Sequence, residues 1–332
     1  MHRLRFTACA VCLAIVAVLT SLGGEGPRAA QGAKVRVGYI NNVQSAALVH
    51  LKSLSQEENL DVELVPFTRY PDVQKALAVD SVDVGVIAPN GLPAAVAQGD
   101  RNVIAIMDLV YGGNSMVARN GVHINAFSDL KGKRIGLAEG GISWMMFMML
   151  LEQHKLPYTD IKALNFTAAT DAVNALKHGD MDVVDLWEPF VSQAVASGYG
   201  QITPVVNYRE TVLAGMNGLL AASRTFSRSH EDALVATLKL VLKAEKQIEA
   251  DQQLWIRLVR GYSNLDDATI KSALAGIRYG GPQLSLSKLN AVAGFIFKVG
   301  MARNDVTGKL GENVNARFLA QAEGKNESEV LK

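Results

Sequence analysis

Two side chains that could bind a small molecule stand directly after a run of apolar residues. Trp187 offers a flat apolar surface with one N–H donor, and Glu188 offers an acceptor for a cationic or hydroxylated group. Asp185, a lone acid in the preceding predicted strand, is either a ligand for a cation or an edge residue. The alternative for the pair is structural, with Trp187 packed in a core and Glu188 capping the next helix.

A second group of candidates lies where predicted strands end and predicted helices begin. Free main-chain N–H groups and the positive end of the helix dipole attract a carboxylate, sulfonate or phosphate at such a junction. The alternative is that Ser45 and Ser143 are plain N-caps, which is compatible with binding. A nucleotide is weakly supported, because the G-x-G-x-x-G spacing is missing. The segments are Asn41-Asn42-Val43-Gln44-Ser45 and Glu139-Gly140-Gly141-Ile142-Ser143, the latter followed by Trp144.

The residues that enzymes most often use are absent or badly spaced. Cys9 and Cys12 lie in an N-terminal apolar run, and the six histidines form no ligand spacing such as H-E-x-x-H. Ser128 and Lys131 match a nucleophile motif by letters only, because its companion motifs are missing. We therefore expect no catalytic residue, no metal site and no cofactor.

The chain also contains an internal repeat. Phe67-Thr68 recurs as Phe166-Thr167, 99 positions later. Upstream, Arg36-Val37-Gly38 recurs as Arg134-Ile135-Gly136, 98 positions later, so a single one-residue indel relates the copies. A constant spacing indicates repeated structural units, with coincidence as the alternative. Further matched pairs at the longer spacing are Asp72 and Asp171, Ala76 and Ala175, Asp83 and Asp182, and Gly99 and Gly198.

Each copy predicts the same order of three strands separated by helices. Strands that alternate with helices form parallel sheets, so we predict an α/β fold of two lobes, each a mostly parallel sheet flanked by helices. Ligands bind beyond the carboxyl ends of such strands, which face the cleft between the lobes. From Ser227 onward the pattern predicts helices only, which we assign to the first lobe. The predicted parts are 1–33, signal peptide and linker; 34–111 plus 218–332, lobe 1 with the C-terminal helices; and 112–217, lobe 2.

Glycines mark the two points where the chain is expected to change lobe. The first crossing contains Tyr111-Gly112-Gly113-Asn114, and the second contains Gly215-Met216-Asn217-Gly218. Glycine absorbs large φ/ψ changes at little steric cost, so both crossings suit a hinge that closes around a ligand. Ordinary turns or bulges are the alternative.

The N-terminus and the charge balance indicate the compartment and exclude nucleic-acid binding. Arg3 and Arg5 precede an apolar run from Phe6 to Leu22 that is too short for a stable membrane anchor. We therefore predict a secretory signal peptide and a periplasmic protein, with an uncleaved anchor as the alternative. The net charge of +1 provides no basic surface for nucleic acid.

Four of these segments together resemble one protein family. They resemble the periplasmic binding proteins for sulfonate, taurine, nitrate and thiamine-pyrimidine precursors, which are components of ABC importers. The resemblance covers roughly residues 34 to 245 and implies the type II periplasmic binding fold. The segments are Arg36-Val37-Gly38-Tyr39, Asp129 to Gly136, Glu139 to Ser143, and Trp187-Glu188-Pro189-Phe190.

The resemblance implies a function and a set of ligand contacts. We expect a monomer that captures a small sulfonate, a taurine-like zwitterion or a related anion and delivers it to an inner-membrane permease. The negative charges of Asp185 and Glu188 weaken the case for a pure anion. A thiamine-related pyrimidine precursor is the alternative ligand, and an enzyme on the same fold is the alternative class. The expected contacts are Asn41, Asn42, Gln44, Ser45, Asn90, Gly91, Glu139, Gly140, Gly141, Ser143, Trp144, Asp185, Trp187, Glu188, Met216 and Asn217.

Overall fold

The first copy of the repeat folds into alternating strands and helices, as its pattern predicts. The computed structural model describes residues 32–332, so the apolar run of the predicted signal peptide, with both cysteines, lies outside the described residues. The elements are β1 (Ala33–Ile40), α1 (Ala46–Leu54), β2 (Leu60–Phe67), α2 (Tyr70–Ala78), β3 (Val84–Ile87), α3 (Gly91–Ala97) and β4 (Val103–Gly112).

The second copy repeats this order after one extra strand. Asp171 stands in the first turn of its second helix, as Asp72 does in α2, where a carboxylate interacts favourably with the helix dipole. The elements are β5 (Asn114–Arg119), β6 (Arg134–Leu137), α4 (Ile142–Gln153), β7 (Lys162–Asn165), α5 (Ala169–His178), β8 (Val183–Trp187), α6 (Phe190–Ala196) and β9 (Gly200–Ile202).

The two copies also share one partly buried arrangement of charged groups. Arg36 donates to Asp83 Oδ2 from its main-chain N at 2.7 Å and from Nε at 3.0 Å. Arg134 donates in the same way to Asp182 Oδ2, at 3.0 and 3.2 Å. In each copy the aspartate returns a main-chain bond of 2.9 Å to the arginine oxygen. Both arginines and both aspartates are partners in the sequence repeat, so the repeat is one structural unit used twice.

The chain then returns to the first half and becomes mainly helical. The predicted helices are present, but the short strand β11 interrupts them, so the prediction of helices alone is wrong there. Three residues are too few to show a strand period, and pairing with β4 makes them a strand. The elements are β10 (Met216–Ser223), α7 (Arg224–Ser229), α8 (Glu231–Ala250), α9 (Gln252–Tyr262), α10 (Asp267–Leu274), β11 (Ile277–Tyr279), α11 (Leu286–Lys298), α12 (Arg317–Glu323) and α13 (Glu327–Val330).

The C-terminal helices contact both halves of the protein. The hydroxyl of Ser192 in α6 donates to that of Ser272 in α10 over 3.1 Å. The sequence-based assignment of these helices to the first lobe therefore misses a contact with the second. No helix within residues 32–332 combines the length and apolar character needed to span a membrane.

The strands form two mixed sheets. The first has the order β11-β4-β10-β3-β1-β2, and the second has the order β7-β6-β8-β5-β9. β1 is parallel to β2 and β3, and β6 is parallel to β7 and β8, as the repeat predicts. The remaining pairs, formed by β10, β4, β11, β5 and β9, are antiparallel.

The α/β class is thus confirmed, and most strands of each mixed sheet run in one direction: β1 to β4 in the first sheet and β6 to β9 in the second. The strands that run against the others are β5 and β10, which directly follow the two crossings, and the short β11. Residue patterns give no strand direction, so this reversal could not be read from the sequence. All eight residues of β10 are buried, which places this returning strand in the centre of the first sheet.

Candidate functional site

The two crossings between the sheets lie against each other. Gly113 alone separates β4 from β5, and residues 203–215 form the second crossing. The main-chain N of Gly112 donates to the oxygen of Gly215 over 2.8 Å. Gly112 has a φ of +79°, and a Cβ there would come within 2.0 Å of the Gly276 oxygen. Only glycine fits this position, where a hinge motion would be centred.

Two predicted ligand contacts instead hold the first crossing in place. Gln44 Nε2 and Asn217 Nδ2 each donate to the oxygen of Gly112, both at 3.0 Å. Met216 is fully buried and begins β10 with Asn217, so these residues follow the second crossing instead of forming it. The donors of both amides are thus engaged with the main chain.

The loop after β1 is stabilised from within. Asn42 Oδ1 accepts from the main-chain N of Gln44 and from the Ser45 hydroxyl, each at 3.2 Å. Tyr262 donates its hydroxyl to the Asn42 oxygen over 2.9 Å. Ser45 holds the N-cap position of α1 but makes no side-chain capping bond. Asn41 is exposed, so this loop offers Asn41 and main-chain groups to a ligand.

The loop after β3 reaches across to the second half. Asn90 is only 7% exposed, and its Nδ2 donates to the oxygen of Gly140 over 3.0 Å. Its Oδ1 is buried and has no hydrogen-bond partner among the described residues. The oxygen of the adjacent Gly91 accepts from Gln74 Nε2 at 2.9 Å, within the first half. Two predicted contacts, Asn90 and Gly140, are therefore brought together from opposite halves.

The loop after β6 leads into a helix whose first turn has no side-chain cap. Gly141 is the N-cap residue of α4, and Ser143 lies inside the helix, so Ser143 is not the N-cap. Uncapped N–H groups at a helix N-terminus suit an anionic group. Glu139 is exposed and accepts from the Tyr158 hydroxyl at 3.0 Å, while Trp144 is half-buried against the core.

Asp185 is a buried carboxyl group beside the second crossing. It is 0% exposed, and its Oδ1 accepts from the Tyr208 hydroxyl over 2.7 Å. Its Oδ2 has no hydrogen-bond partner within residues 32–332. Burial raises the pKa of Asp185 to about 7, and the hydroxyls of Ser143 and Tyr208 act in the opposite direction. Asp185 is thus an inward-facing group and not an edge residue.

Trp187 is half-buried at the end of β8 and makes aromatic contacts on two sides. Its ring stacks on Phe166 with centroids 6.1 Å apart, and it meets Phe190 edge-on at 5.9 Å. Phe166 belongs to the core of the second half, and the partly buried Phe190 packs against that core. Part of the ring is left accessible, so Trp187 combines a packing role with a surface that a ligand could contact.

Glu188 has the structural role that the sequence offered as the alternative. It is 7% exposed, and its two oxygens accept from the main-chain N and the hydroxyl of Ser192, both at 3.1 Å. Its main-chain N donates to the oxygen of Gly113 over 2.7 Å. Burial raises the pKa of Glu188 above its ordinary value, against those two hydrogen bonds. Glu188 therefore holds the first turn of α6 and the first crossing together.

A cavity of about 470 Å³ lies along the two crossings. Among the predicted contacts Glu188 alone lines it; the other lining residues include Gly112 to Ser115, Thr203, Tyr208, Ser192 and Ser272. The Asn114 Oδ1 and Thr203 Oγ1 atoms are buried in this region without a hydrogen-bond partner among the described residues. The cavity is therefore distinct from the loops after β1, β3 and β6, where most of the predicted contacts lie.

The sequence analysis missed two residues that bind predicted contacts. Tyr208 stands in the second crossing and donates to Asp185. Ser192 follows Glu188 by four residues, a helical spacing that brings both side chains to one face. No group of three or more His, Cys, Asp or Glu side chains in residues 32–332 is placed to hold a metal ion.

Comparisons with known proteins agree with this architecture. Residues 54–253 match the family model described as NMT1/THI5 like. A "Putative binding protein" of Brucella abortus is 28% identical over 47% of this chain and 49% of its own length. A "Putative aliphatic sulfonates-binding protein" of Escherichia coli K12 is 29% identical over 49% of this chain and 52% of its own length. The alignments thus span about half the length of these curated relatives.

Solved structures show the same fold. The periplasmic aliphatic sulphonate binding protein SsuA of Escherichia coli superposes with a TM-score of 0.72 at 20% identity, over 83% of this chain and 96% of SsuA. The periplasmic nitrate-binding protein NrtA of Synechocystis gives a TM-score of 0.71 at 14% identity, over 90% of this chain and 91% of NrtA. The fold is that of the periplasmic binding proteins, and because the family model covers more than half of the sequence, the chain belongs to the NMT1/THI5-like family.

Proposed function

We propose that this protein is the solute-binding component of an ABC importer, which captures a small molecule between its two halves and delivers it to a permease. The observation that carries the proposal is the contact between Asn90 and Gly140, which joins the loop after β3 in the first half to the loop after β6 in the second. In open α/β sheets these loops are where ligands bind.

Ligand capture follows from the way the halves are joined. The crossings at Gly113 and at residues 203–215 are held by main-chain bonds and by the amides of Gln44 and Asn217. Rotation about such a pair of crossings would separate the Asn90 loop from the Gly140 loop and admit a solute. A bound solute would then favour the closed arrangement by its contacts with both loops.

The proposed contacts come from main-chain and side-chain groups around this opening. The first turn of α4 supplies N–H groups to an acidic end of the solute, and Asn90 and Trp187 supply polar and aromatic surfaces. We retain the whole set of sixteen sequence-predicted contacts as the proposed lining, with Gln44, Glu188 and Asn217 acting mainly by holding the crossings.

The proposed ligand is a small sulfonate, a taurine-like zwitterion or a related anion. The sulfonate and nitrate named for relatives and structural neighbours support this class, as does the uncapped start of α4. We also propose that the protein acts in the periplasm as a monomer, and that it releases its ligand chemically unchanged.

A panel of ligands tests the proposal directly. Alkanesulfonates, taurine, nitrate and aminopyrimidines would each be added to the purified protein, with thermal unfolding and calorimetric titration as readouts. A ligand present at about 100 times its Kd stabilises the folded state by about 2.7 kcal/mol, which raises the melting temperature visibly. Stabilisation by one class supports the proposal, and no effect from any of them, or turnover of a bound compound, contradicts it.

A further inference from the structure

We infer that the solute carries a positively charged or N–H-rich group, such as an ammonium, and that Asp185 receives it. This inference rests on the proposed function and defines the class of ligand more narrowly. Asp185 would then make the protein bind amino-bearing solutes more tightly than simple anions of the same size.

The first observation is that two of the residues in the proposed lining have buried acceptor atoms without a donor, beside one buried donor without an acceptor, Trp144 Nε1. Asp185 Oδ2 and Asn90 Oδ1 are both buried and have no hydrogen-bond partner within the described residues. The orientation of the Asn90 amide is fixed, because the Gly140 oxygen can only accept and therefore requires Nδ2. Buried acceptors without donors are costly, so a ligand that supplies donors gains the most from them.

The second observation is that the side-chain amides of the proposed lining and the Tyr208 hydroxyl already donate to other groups. Asn90 Nδ2 binds the Gly140 oxygen, and the amides of Gln44 and Asn217 both bind the Gly112 oxygen. The Tyr208 hydroxyl donates to Asp185. A simple sulfonate offers acceptors only and would find main-chain N–H groups and Trp144 Nε1 as donors, but it would leave Asp185 Oδ2 without one, whereas an amino group supplies that donor.

The third observation concerns charge. The Tyr208 hydroxyl donates to Asp185, the Ser143 hydroxyl lowers its pKa, and no lysine or arginine in the described chain forms an ion pair with it. An ionised carboxyl buried without a cation is unfavourable. A ligand ammonium would supply the missing cation and favour the ionised carboxylate, which repels a sulfonate that approaches the start of α4.

Asp185 lies close to both crossings and to the start of α4. Its strand partner is Met116 in β5, which directly follows the first crossing, and Tyr208 belongs to the second crossing. Ser143 lies in the first turn of α4. A cation at Asp185 would therefore sit where the second half and both crossings converge, close to the helix end that suits the acidic part of a zwitterion.

The test uses pairs of ligands that differ by one amino group: taurine and ethanesulfonate, β-alanine and propionate, and 4-aminopyrimidine and pyrimidine. Affinities would be measured by calorimetry for the wild type, for Asp185→Asn and for Asp171→Asn. The last variant removes one exposed negative charge from the same half and serves as the control. Circular dichroism would establish that each variant is folded.

We expect the wild type and Asp171→Asn to bind the amino member of at least one pair about tenfold or more tightly than its partner, as a hydrogen bond to a charged group implies. Asp185→Asn should lose most of this preference. Equal binding of both members by the wild type, or a preference unchanged in Asp185→Asn, overturns the inference and leaves solute binding intact. If nitrate or a simple sulfonate binds and no amino compound does, the inference also fails. If no compound of the wider panel binds, the proposed function itself has failed.

Discussion

The side-chain amide of Asn90 donates a hydrogen bond of 3.0 Å to the main-chain oxygen of Gly140. Asn90 precedes α3 in the first half, and Gly140 precedes α4 in the second. This contact bridges the two loops, so one polar bond contributes to holding the halves together in the described structure. We take this arrangement as the closed form in the predictions that follow.

Removing this bond should loosen the closed form. Asn90→Ala deletes one hydrogen bond worth about 1 kcal/mol, which changes the ratio of closed to open molecules by about fivefold. We expect a larger radius of gyration in small-angle scattering without ligand, and a severalfold weaker ligand affinity.

Gln74→Ala provides a matched control for that experiment. It removes a bond of the same kind, from a side-chain amide to the oxygen of Gly91, but within the first half. The radius of gyration should stay unchanged. An equal expansion in both variants would show that the Asn90 bond does not hold the halves together.

The free energy of unfolding should depend on pH through the ionisation of Asp185. Burial raises its pKa in the folded protein to about 7, whereas an unfolded aspartate titrates near pH 3.9. The folded state therefore keeps a proton that the unfolded state loses, and the free energy of unfolding falls as the pH rises from about 4 to about 7. At about 1.4 kcal/mol per pKa unit, the loss amounts to a few kcal/mol.

Asp185→Asn should remove this component. Urea unfolding of the wild type and the variant at pH 4.5 and pH 8 would measure this contribution. Compared with the wild type, the variant should have a more favourable free energy of unfolding at pH 8 than at pH 4.5. A constant difference between the two proteins at both pH values would mean that Asp185 does not bind a proton in this range.

The repeat could be predicted from the sequence, because both copies carry the same order of strand and helix patterns and the same Arg–Asp pair. Arg36 with Asp83 and Arg134 with Asp182 occupy matching positions, and each pair forms the same main-chain and side-chain bonds. Strand direction was not predictable, because β10 and β5 look like any other buried strand until the chain path is known. The same applies to β11, whose three residues become a strand by pairing with β4.

The sequence predicted which loops form the candidate site, but not which of their side chains are engaged in hydrogen bonds within the protein. Glu188 and Gln44 were expected to contact ligand, and each is engaged in holding the crossings. Such bonds depend on residues distant in sequence, as with Gly112 for Gln44. Tyr208 was missed because its partner, Asp185, lies 23 residues earlier on another element.

The ion pair of the second copy should stabilise the fold at neutral pH. The Arg134 guanidinium lowers the pKa of Asp182 to about 2, below the ordinary aspartate value. Stability from this pair is thus present above about pH 4 and is lost as the pH falls towards 2. Solvent screens the half-exposed Arg134, so we expect Asp182→Asn to lower the free energy of unfolding at pH 7 by about 1 to 2 kcal/mol.

Chemical denaturation at pH 7 and at pH 2.5 checks this. The difference between wild type and Asp182→Asn should shrink at the lower pH. A difference that grows on acidification would contradict the assigned direction of the pKa shift.

Trp187 should contribute to ligand binding as well as to packing. Trp187→Ala removes a half-buried ring that contacts Phe166 and Phe190, so we expect a moderate loss of stability and about tenfold weaker binding, with the fold retained. Trp187→Phe keeps an aromatic ring at the same place and should retain most of the stability. Unchanged affinity in Trp187→Ala would assign the residue a purely structural role.

A crystal structure of the protein with the tightest compound of the panel tests the central claim most directly. Our account predicts the ligand between the Asn90 and Gly140 loops, with an N–H group within hydrogen-bonding distance of Asp185 Oδ2 and its acidic end at the first turn of α4. A ligand bound instead in the cavity lined by Gly112 to Ser115 and Thr203, with the space between those loops unaltered, would contradict it.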